Sequence, residues 1–184
     1  MQLVGQSTEE LFQKAVREQT RRLLSIARAI VGNSATAEDV VQQAFANLYQ
    51  HRNRYDWRDP GGLLRRTVVN ESLRILRQPR PAALSDETAE AGSFTMRSRT
   101  GGRGTGPLDG MVERETTQTV RRAIQRLPDH FRAALVLCEY EQMSYVQIAD
   151  VLDATIPQVK TWIHRGRRQL AQSLKDLAPA RWGA

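Results

Sequence analysis

Residues 143–170 read MSYVQIADVLDATIPQVKTWIHRGRRQL, and they predict the local structure of the C-terminal part of the chain. It contains two capping boxes in succession, formed by Ser144 with Gln147 and by Thr155 with Gln158. A capping box satisfies backbone donors in the first turn of a helix, so each pair marks a helix start. The pattern therefore predicts two short helices, 145–152 and 157–173, joined by a tight turn. This is the layout of a helix-turn-helix.

The second of these helices concentrates positive charge. Residues 154–175 include five basic side chains and no acidic one, whereas residues 113–153 include five basic and seven acidic ones. Duplex DNA carries one phosphate charge per about 1.7 Å of its axis, so a helix that enters a groove gains from cations and loses from carboxylates. The side chains predicted to face DNA are Gln158, Lys160, Thr161, His164, Arg165 and Arg168. A basic helix that is merely solvated is the alternative.

Three longer helices are predicted nearer the N-terminus. The first begins at a capping box of Ser7 with Glu10. It ends at Gly32-Asn33, because glycine tolerates the left-handed backbone of a helix stop. The second helix has Thr36 as its predicted N-cap, and the third starts at Asp59-Pro60. Apolar residues recur mostly at intervals of three and four along these helices, which predicts one buried face for each.

The segment 79–112 separates these helices from the C-terminal part. It is rich in Pro, Gly, Ser and Thr and has almost no large apolar residue, so it cannot bury enough surface to offset its ordering entropy. We predict a flexible linker there, followed by helices at roughly 113–127 and 129–140. The predicted fold class is all-α, with two small helical domains, 1–78 and 113–184. The second domain contains the helix-turn-helix.

The composition and the net charge of the chain limit which kinds of partner it is expected to bind. The chain has 184 residues and a net charge of +7, and a surface patch of one sign indicates a polyanionic partner. No apolar run is long enough to cross a bilayer, and the N-terminus lacks the segments of a secretory signal. The single cysteine, Cys138, lies in the apolar run ALVLC and is predicted to be a buried, inert thiol. We expect a reducing, cytoplasmic setting and no membrane insertion.

Catalysis is not expected from the residues present. The histidines His51, His130 and His164 are scattered, and no cysteine or carboxylate accompanies them at a metal-ligand spacing. No glycine-rich phosphate loop follows a strand, because GGRG in the linker lacks both a strand and a lysine. We therefore predict that the protein is not an enzyme and has no cofactor, metal site or small-molecule substrate.

Two parts of the chain resemble one known family. The run LPDHFRAALVLCEYEQMSYVQIADVLDATIPQVKTWIHRGRRQL, residues 127–170, resembles the C-terminal domain of bacterial sigma-70 family initiation factors, in the small extracytoplasmic-function (ECF) group. AEDVVQQAFANLYQ and the later LLRRTVVNESLRIL resemble the first domain of that group. Both resemblances occur in the expected order and together cover about residues 10–78 and 113–174.

The resemblance implies that the chain is a sigma factor that directs core RNA polymerase to promoters and assists promoter opening. The second helix would bind core polymerase through Asp39, Gln42, Gln43 and Leu48, although Leu48 could instead belong to the core. The third helix would engage the −10 promoter element. Asn70 would bind a flipped base. The residues that would contact the DNA backbone are Arg65, Arg66, Arg74 and Arg77. Tyr55 and Trp57 would either stack on unpaired bases, at about 1–3 kcal/mol each, or pack inside their own domain.

The resemblance assigns the C-terminal helix to the −35 promoter element. It adds Arg167 to the DNA-contacting residues, since Arg167 and Arg168 match positions near phosphates. The linker would thread a channel of the polymerase towards its active site. An anti-sigma protein is a further expected partner, because factors of this group are commonly held by one.

The chain departs from the family pattern at three places. The third helix begins DPGGLLRR, where the family usually has aromatic residues, and EYEQMSY replaces a glycine common before the helix-turn-helix. Gly166 lies between two arginines and lowers the helix propensity by about 1 kcal/mol relative to alanine. We expect this glycine to allow a close approach of two backbones.

Two other interpretations of the residues remain open at this point. A stand-alone dimeric helix-turn-helix regulator would bind duplex DNA tightly without polymerase. A protein-interaction adaptor would use the apolar stripe at 37–49 and would not need the cations of the C-terminal helix.

Overall fold

The computed structural model describes residues 7–78 and 117–177. Its elements in chain order are α1 (Thr8–Val31), α2 (Ser34–Gln50), a 3-10 turn (Arg52–Arg54), α3 (Pro60–Arg77), α4 (117–125), α5 (Asp129–Leu135), α6 (Tyr145–Leu152) and α7 (Ile156–Leu177). A π-helical turn, Val136–Tyr140, continues α5. The all-α prediction is confirmed for these residues. The predicted linker, 79–112, lies outside the described residues.

The starts of the N-terminal helices follow local capping chemistry, with one correction. Ser7 forms the predicted capping box with Glu10, and Gly32 ends α1 with a φ of 97°. Asp59 accepts a hydrogen bond from a backbone N–H in the first turn of α3, as predicted. The prediction that Thr36 caps α2 is wrong. Asn33 is the cap, because its Oδ1 accepts the backbone N–H of Thr36 at 2.7 Å.

The helix-turn-helix has the predicted local geometry. The backbone N–H of Ser144 donates to Gln147 Oε1 at 2.9 Å, and that of Thr155 donates to Gln158 Oε1 at 2.8 Å. Between the two helices Asp153 adopts a left-handed backbone with a φ of 50°, which turns the chain sharply. Helix α7 begins one residue earlier and runs four residues further than the predicted 157–173.

Helices α1, α2 and α3 pack around a shared apolar core. Its largest fully buried side chains are Leu23, Ile26, Ile30, Val40, Leu48, Leu64, Val68 and Val69. Burial of each such side chain contributes roughly 1.5–3 kcal/mol, so this core holds the three helices in a fixed relative orientation.

Gly166 sets the distance between α7 and α5. A Cβ atom added at Gly166 would lie 2.9 Å from Leu135 Cδ1 and 3.4 Å from Phe131 Cβ. Two non-bonded carbon atoms cannot come as close as 2.9 Å without steric strain. Gly166 therefore lets the backbone of α7 lie against side chains of α5, whereas the close approach of two backbones stays a prediction.

The N-terminal and C-terminal helices are packed against each other. The buried guanidinium of Arg132 donates to the carbonyl of Ile30 at 2.6 Å, and also to the carbonyls of Gln125 and Leu127 at 2.8 and 3.0 Å. Gln125 Nε2 donates to the carbonyl of Ala29 at 2.9 Å. The last carbonyls of a helix lack partners within it. Residues of the C-terminal group thus cap α1.

Two further findings bear on the predicted setting. Among the described residues, no helix combines the length and the apolar character needed to cross a bilayer. Cys138 is half-buried, and burial raises the pKa of its thiol, with the Glu139 carboxylate adding to the rise. The thiolate is thereby disfavoured, but Cys138 is less buried than predicted, and the inertness of the thiol stays a prediction.

Candidate nucleic-acid interface

Helix α7 buries one face and exposes the other. Val159 and Ile163 are buried, and Trp162 is half-buried against the core. The opposite face exposes the four cationic or titratable side chains Lys160, His164, Arg165 and Arg168. These side chains follow one another at helical spacing, so they form a continuous surface. This surface can donate hydrogen bonds to base edges and phosphates.

The other three residues predicted on this helix are exposed, but each makes a hydrogen bond within the protein. Gln158 Oε1 accepts from Thr155 in the capping box, and the hydroxyl of Thr161 donates to the carbonyl of Pro157 at 2.9 Å. Arg167 is exposed but pairs with Glu139, with Nε 2.9 Å from Oε1. Arg167 is therefore held against the π-helical turn, whereas Lys160, Arg165 and Arg168 form no ion pair within residues 7–78 and 117–177.

One face of α3 gathers four of its predicted residues. Arg66, Asn70, Arg74 and Arg77 are separated by four, four and three residues, which places them on one side of a helix. Asn70 is exposed near the middle of this stripe. An amide at that position can offer both a donor and an acceptor to a base edge.

Arg74 is oriented by a carboxylate of its own helix. Arg74 Nε donates to Glu71 Oε2 at 2.9 Å, and a second hydrogen bond joins Arg74 Nη2 to Glu71 Oε1. The Glu71 carboxylate is buried, whereas the arginine is exposed. A bidentate pair fixes the plane of the guanidinium. Arg74 is thus presented to solvent in a defined direction.

The remaining arginines of α3 contact the C-terminal helices. Arg65 Nε lies 3.5 Å from Glu141 Oε2, and Arg66 Nη1 donates to Asp150 Oδ1 at 3.1 Å. Arg77 Nη2 is 3.1 Å from His130 Nε2. Because a guanidinium only donates, this imidazole nitrogen accepts, and the ring is neutral. Burial lowers the pKa of His130 and Arg77 lowers it further, in agreement with the neutral form.

The two aromatic candidates before α3 differ. Tyr55 is exposed. Trp57 is half-buried and packs edge-on against Phe12 at a centroid distance of 5.9 Å, and its indole N–H donates to the carbonyl of Arg52 at 2.7 Å. Of the two roles considered for Trp57, the structure supports packing inside its own domain. Trp57 is removed from the candidate DNA contacts.

The predicted polymerase-binding residues of α2 also divide into two kinds. Asp39, Gln42 and Gln43 are exposed, and Gln43 Nε2 donates to Asn47 Oδ1 at 3.2 Å. Leu48 has no exposed surface. The prediction that Leu48 contacts a partner is wrong, because its side chain fills the core beneath the exposed face.

Comparison with known proteins assigns the family. Residues 15–81 match the family model described as Sigma-70 region 2, and residues 117–170 match the one described as Sigma-70, region 4. The chain is 30% identical over 176 residues to the ECF RNA polymerase sigma factor SigW of Bacillus subtilis, across 95% of this chain and 94% of SigW. The chain belongs to the ECF group of RNA polymerase sigma factors.

Further similarities agree with this assignment. The sigma factor is 28% identical over 166 residues to the ECF sigma factor SigE of Mycolicibacterium smegmatis, across 89% of this chain and 61% of SigE. Its fold is similar to that of RpoE from Bartonella quintana, solved in complex with the anti-sigma factor NepR. That comparison gives a TM-score of 0.63 at 18% identity and covers 89% of this chain and 96% of RpoE.

Family membership settles the general function. Sigma factors of the ECF type direct core RNA polymerase to specific promoters and assist promoter opening, so this chain is a DNA-binding transcription initiation factor that binds core RNA polymerase. The interpretation as a stand-alone regulator is set aside. Sigma factors form a family of initiation factors and not of enzymes. Among the described residues, no group of three or more His, Cys, Asp or Glu side chains could hold a metal ion.

Sequence reasoning missed three residues of this sigma factor that contact its candidate DNA-binding arginines. Glu141, Asp150 and His130 all belong to the C-terminal helices, whereas their partners lie on α3. For Glu141 and Asp150 the signal in the sequence was the excess of acidic side chains over residues 113–153, and this signal does not extend to His130. That excess gives no indication of which arginines these side chains meet.

Proposed function

We propose that this sigma factor divides promoter recognition between two domains, 1–78 and 113–184. In the second domain, α7 reads the −35 element through Lys160, Thr161, His164 and Arg165, with the other predicted residues of that helix near phosphates. The observation that carries this proposal is the exposed cationic face of α7, which the helix-turn-helix projects away from the core. The absence of any carboxylate between residues 154 and 175 removes repulsion from a bound duplex.

In the first domain, α3 engages the −10 element. Asn70 holds a base of the non-template strand, and the neighbouring arginines of α3 bind its phosphates. The exposed ring of Tyr55 stacks on an unpaired base, while Trp57 supports this region from inside. Stacking on an aromatic ring tolerates any base, so Tyr55 contributes affinity and Asn70 contributes selectivity.

Core RNA polymerase binds the exposed face of α2, through Asp39, Gln42 and Gln43. These residues carry one carboxylate and two amides at helical spacing, which suits a polar contact that can form and dissolve. Leu48 contributes indirectly, because its burial sets the orientation of this face on the three-helix core.

The wider setting follows from the family. We infer that the protein acts in the cytoplasm, has no catalytic activity and requires no cofactor. The similar RpoE of Bartonella quintana was solved with an anti-sigma factor, which supports an anti-sigma protein as a partner of this chain.

Transcription in a purified system tests the assignment of α7. Core RNA polymerase with this protein, acting on fragmented genomic DNA of the source organism, should yield transcripts that start at discrete sites. Lys160→Ala combined with Arg165→Ala should lower their yield at least about tenfold, because each base contact contributes roughly 1–3 kcal/mol of discrimination. Co-purification of the variant with core polymerase should be unchanged.

The matched control is Lys14→Ala combined with Arg17→Ala. It removes the same charge from two exposed residues of α1 and should leave the transcripts intact. If the α7 variant loses polymerase binding in the same measure as transcription, or if its transcripts are unaffected, α7 is not the DNA reader.

A further inference from the structure

The α2–α3 loop, residues 51–58, joins the helix that we assign to core polymerase to the helix that we assign to the −10 element. It carries the exposed ring of Tyr55. Part of its backbone forms the 3-10 turn, in which the N–H of Arg54 donates to the carbonyl of His51 at 2.8 Å. Hydrogen bonds in such a turn have poor geometry, so side-chain contacts must help to fix the conformation of the loop.

The side chain of Arg52 connects this loop to both α1 and α2. Its Nη1 donates to the carbonyl of Tyr49 at 2.8 Å, and its Cζ lies 4.3 Å from the centre of the Tyr49 ring. Its Nε lies 3.2 Å from Glu9 Oε2, near the start of α1. A planar guanidinium with several donors can make a hydrogen bond, a cation–π contact and an ion pair at the same time.

The backbone of Arg52 holds the other end of the loop. The indole N–H of Trp57 donates to the carbonyl of Arg52 at 2.7 Å. The Trp57 ring packs edge-on against Phe12 of α1, and the Phe12 ring also lies 5.4 Å from the ring of Tyr49. Glu9 and Phe12 are three residues apart on α1, so one face of this helix supports both ends of the loop.

The other two arginines of the loop differ from Arg52. Arg54 and Arg58 are exposed. Arg58 Nε donates to Asp56 Oδ2 at 2.6 Å, so this contact connects the loop only to itself. Within residues 7–78 and 117–177, Arg52 is therefore the loop arginine that an ion pair joins to α1 and a hydrogen bond joins to α2.

The contacts of Arg52 lie at the edge of the three-helix core. The side chains of Arg52 and Glu9 are 31% and 37% exposed. Ion pairs that reach solvent contribute little to the free energy of unfolding. They can still remove local freedom, because the stability of a loop is set by its own few contacts. The pair therefore affects the conformation of the loop more than the stability of the fold.

The order of this loop determines where the ring of Tyr55 lies. The N–H of Tyr55 donates to the carbonyl of Arg52 at 3.4 Å. A ring that is already in place loses less conformational entropy when a base stacks on it, so the base binds more tightly. We propose that Arg52 is a positioning residue for promoter opening, which together with Glu9 holds Tyr55 in place to receive an unpaired base. The proposal rests on the assignment of Tyr55 to the −10 strand.

The first test measures the order of the loop in the full-length free protein. Incorporation of 3-fluorotyrosine gives fluorine resonances, and the resonance of Tyr55 is identified by its loss in Tyr55→Phe. Arg52→Met should move this resonance towards its position in the urea-unfolded protein, because the ring samples more conformations. The thermal midpoint should fall by less than about 3 °C, since the lost contacts are partly exposed. An unchanged Tyr55 resonance overturns the proposal.

The second test measures the rate of promoter opening by core RNA polymerase with each variant, at the promoter that gives the strongest transcript with the wild-type protein. Arg52→Met should slow the appearance of permanganate-reactive thymines about tenfold, the cost of ordering roughly one residue of backbone during binding. Arg52→Lys should recover part of the rate, because its ammonium can still pair with Glu9. The matched control is Arg17→Met, which removes the same charge from an exposed residue of α1 and should change the rate less than about twofold.

Glu9→Gln separates the loop contact from a general charge effect. It makes the protein more positive, which by itself favours binding to DNA. It should nonetheless slow opening about threefold, because Arg52 loses its partner on α1. Glu18→Gln makes the same charge change at an exposed residue of α1 and should not slow opening. Faster opening with Glu9→Gln would mean that charge, and not the conformation of the loop, governs the rate, and it overturns the proposal.

A double substitution distinguishes this proposal from the assignment of Tyr55. If Arg52 acts through Tyr55, Arg52→Met should slow opening less than about twofold once Tyr55→Ala is present. An equal slowing with and without Tyr55→Ala would show a merely structural role and overturns the proposal. If Tyr55→Ala slows opening but Arg52→Met does not, the positioning role is wrong and the assignment of Tyr55 stands. If Tyr55→Ala leaves opening unchanged, the assignment is wrong and the positioning role fails with it.

Discussion

The arginines of α3 and those of α7, which we assign to the two promoter elements, are held differently. On α7, Arg165 and Arg168 are exposed beside Lys160, whereas on α3 Arg65 and Arg66 face carboxylates of the other domain. Residue type alone therefore does not determine whether a cation is available to a partner. The side chains of Arg165 and Arg168 are open to solvent, whereas those of Arg65 and Arg66 are already paired with carboxylates.

Arg132 differs from both groups of arginines, and its substitution has the largest expected effect. Arg132 is buried and donates to three backbone carbonyls, so neither solvent nor DNA can reach it. Arg132→Met should lower the free energy of unfolding by about 3 kcal/mol, because these carbonyls lose their charged donor. Urea denaturation followed by circular dichroism measures the change.

Arg126→Met is the control for that substitution, since Arg126 is exposed a few residues away. Arg126→Met should change the free energy of unfolding by no more than about 0.5 kcal/mol. A loss below about 1 kcal/mol for Arg132→Met would mean that water replaces the guanidinium, and that Arg132 does not hold the N-terminal and C-terminal helices together.

An intermediate effect is expected at the centre of the α3 stripe. Asn70→Ala should reduce strand opening by the holoenzyme about tenfold, because a hydrogen-bonded base contact contributes roughly 1–3 kcal/mol. Permanganate footprinting detects the unpaired thymines, and closed-complex formation should be nearly unchanged.

Gln78→Ala removes an exposed amide at the end of the same helix and should not alter the footprint. If both variants lost the footprint to the same extent, the effect would belong to α3 as a whole and not to Asn70. An unaltered footprint for Asn70→Ala would remove Asn70 from the site.

The smallest effect is expected at the glycine that seats α7. Gly166→Ala gains about 1 kcal/mol of helix propensity but forces Leu135 to move, and such overpacking costs about 1–3 kcal/mol. We expect a net destabilisation of about 1 kcal/mol, measured as a lower thermal midpoint. Leu135→Val added to Gly166→Ala should recover part of it. A rise in the midpoint for the single variant would show that α5 yields without strain.

The sequence predicts what depends on neighbouring residues. The caps at Ser7, Asp59, Ser144 and Thr155 are local hydrogen bonds, so their positions follow from residue type and spacing. The predicted start of α2 is wrong because Asn33 and Thr36 are both good caps and lie within one turn of each other. Which of them accepts the hydrogen bond depends on how the chain leaves α1.

The sequence does not predict which surfaces meet. Arg66 and Asp150 are 84 residues apart in the chain, and no periodicity connects them. The sequence allows Leu48 and Trp57 either a binding role or a place in the core, because apolar residues serve in both. Only the packing of three helices shows that the first is fully buried and that the second has its indole N–H engaged.

The π-helical turn Val136–Tyr140 gives this arrangement an unusual sensitivity to chain length. Glu139, inside the turn, points to Arg167 of α7, and Glu141, just after it, points to Arg22 and Arg65. A π turn holds one residue more than an α turn, and each residue rotates a helix by about 100°. Deletion of a single residue here would rotate Glu141 away from α1, so that its ion pairs with Arg22 and Arg65 would be lost although both arginines are unchanged.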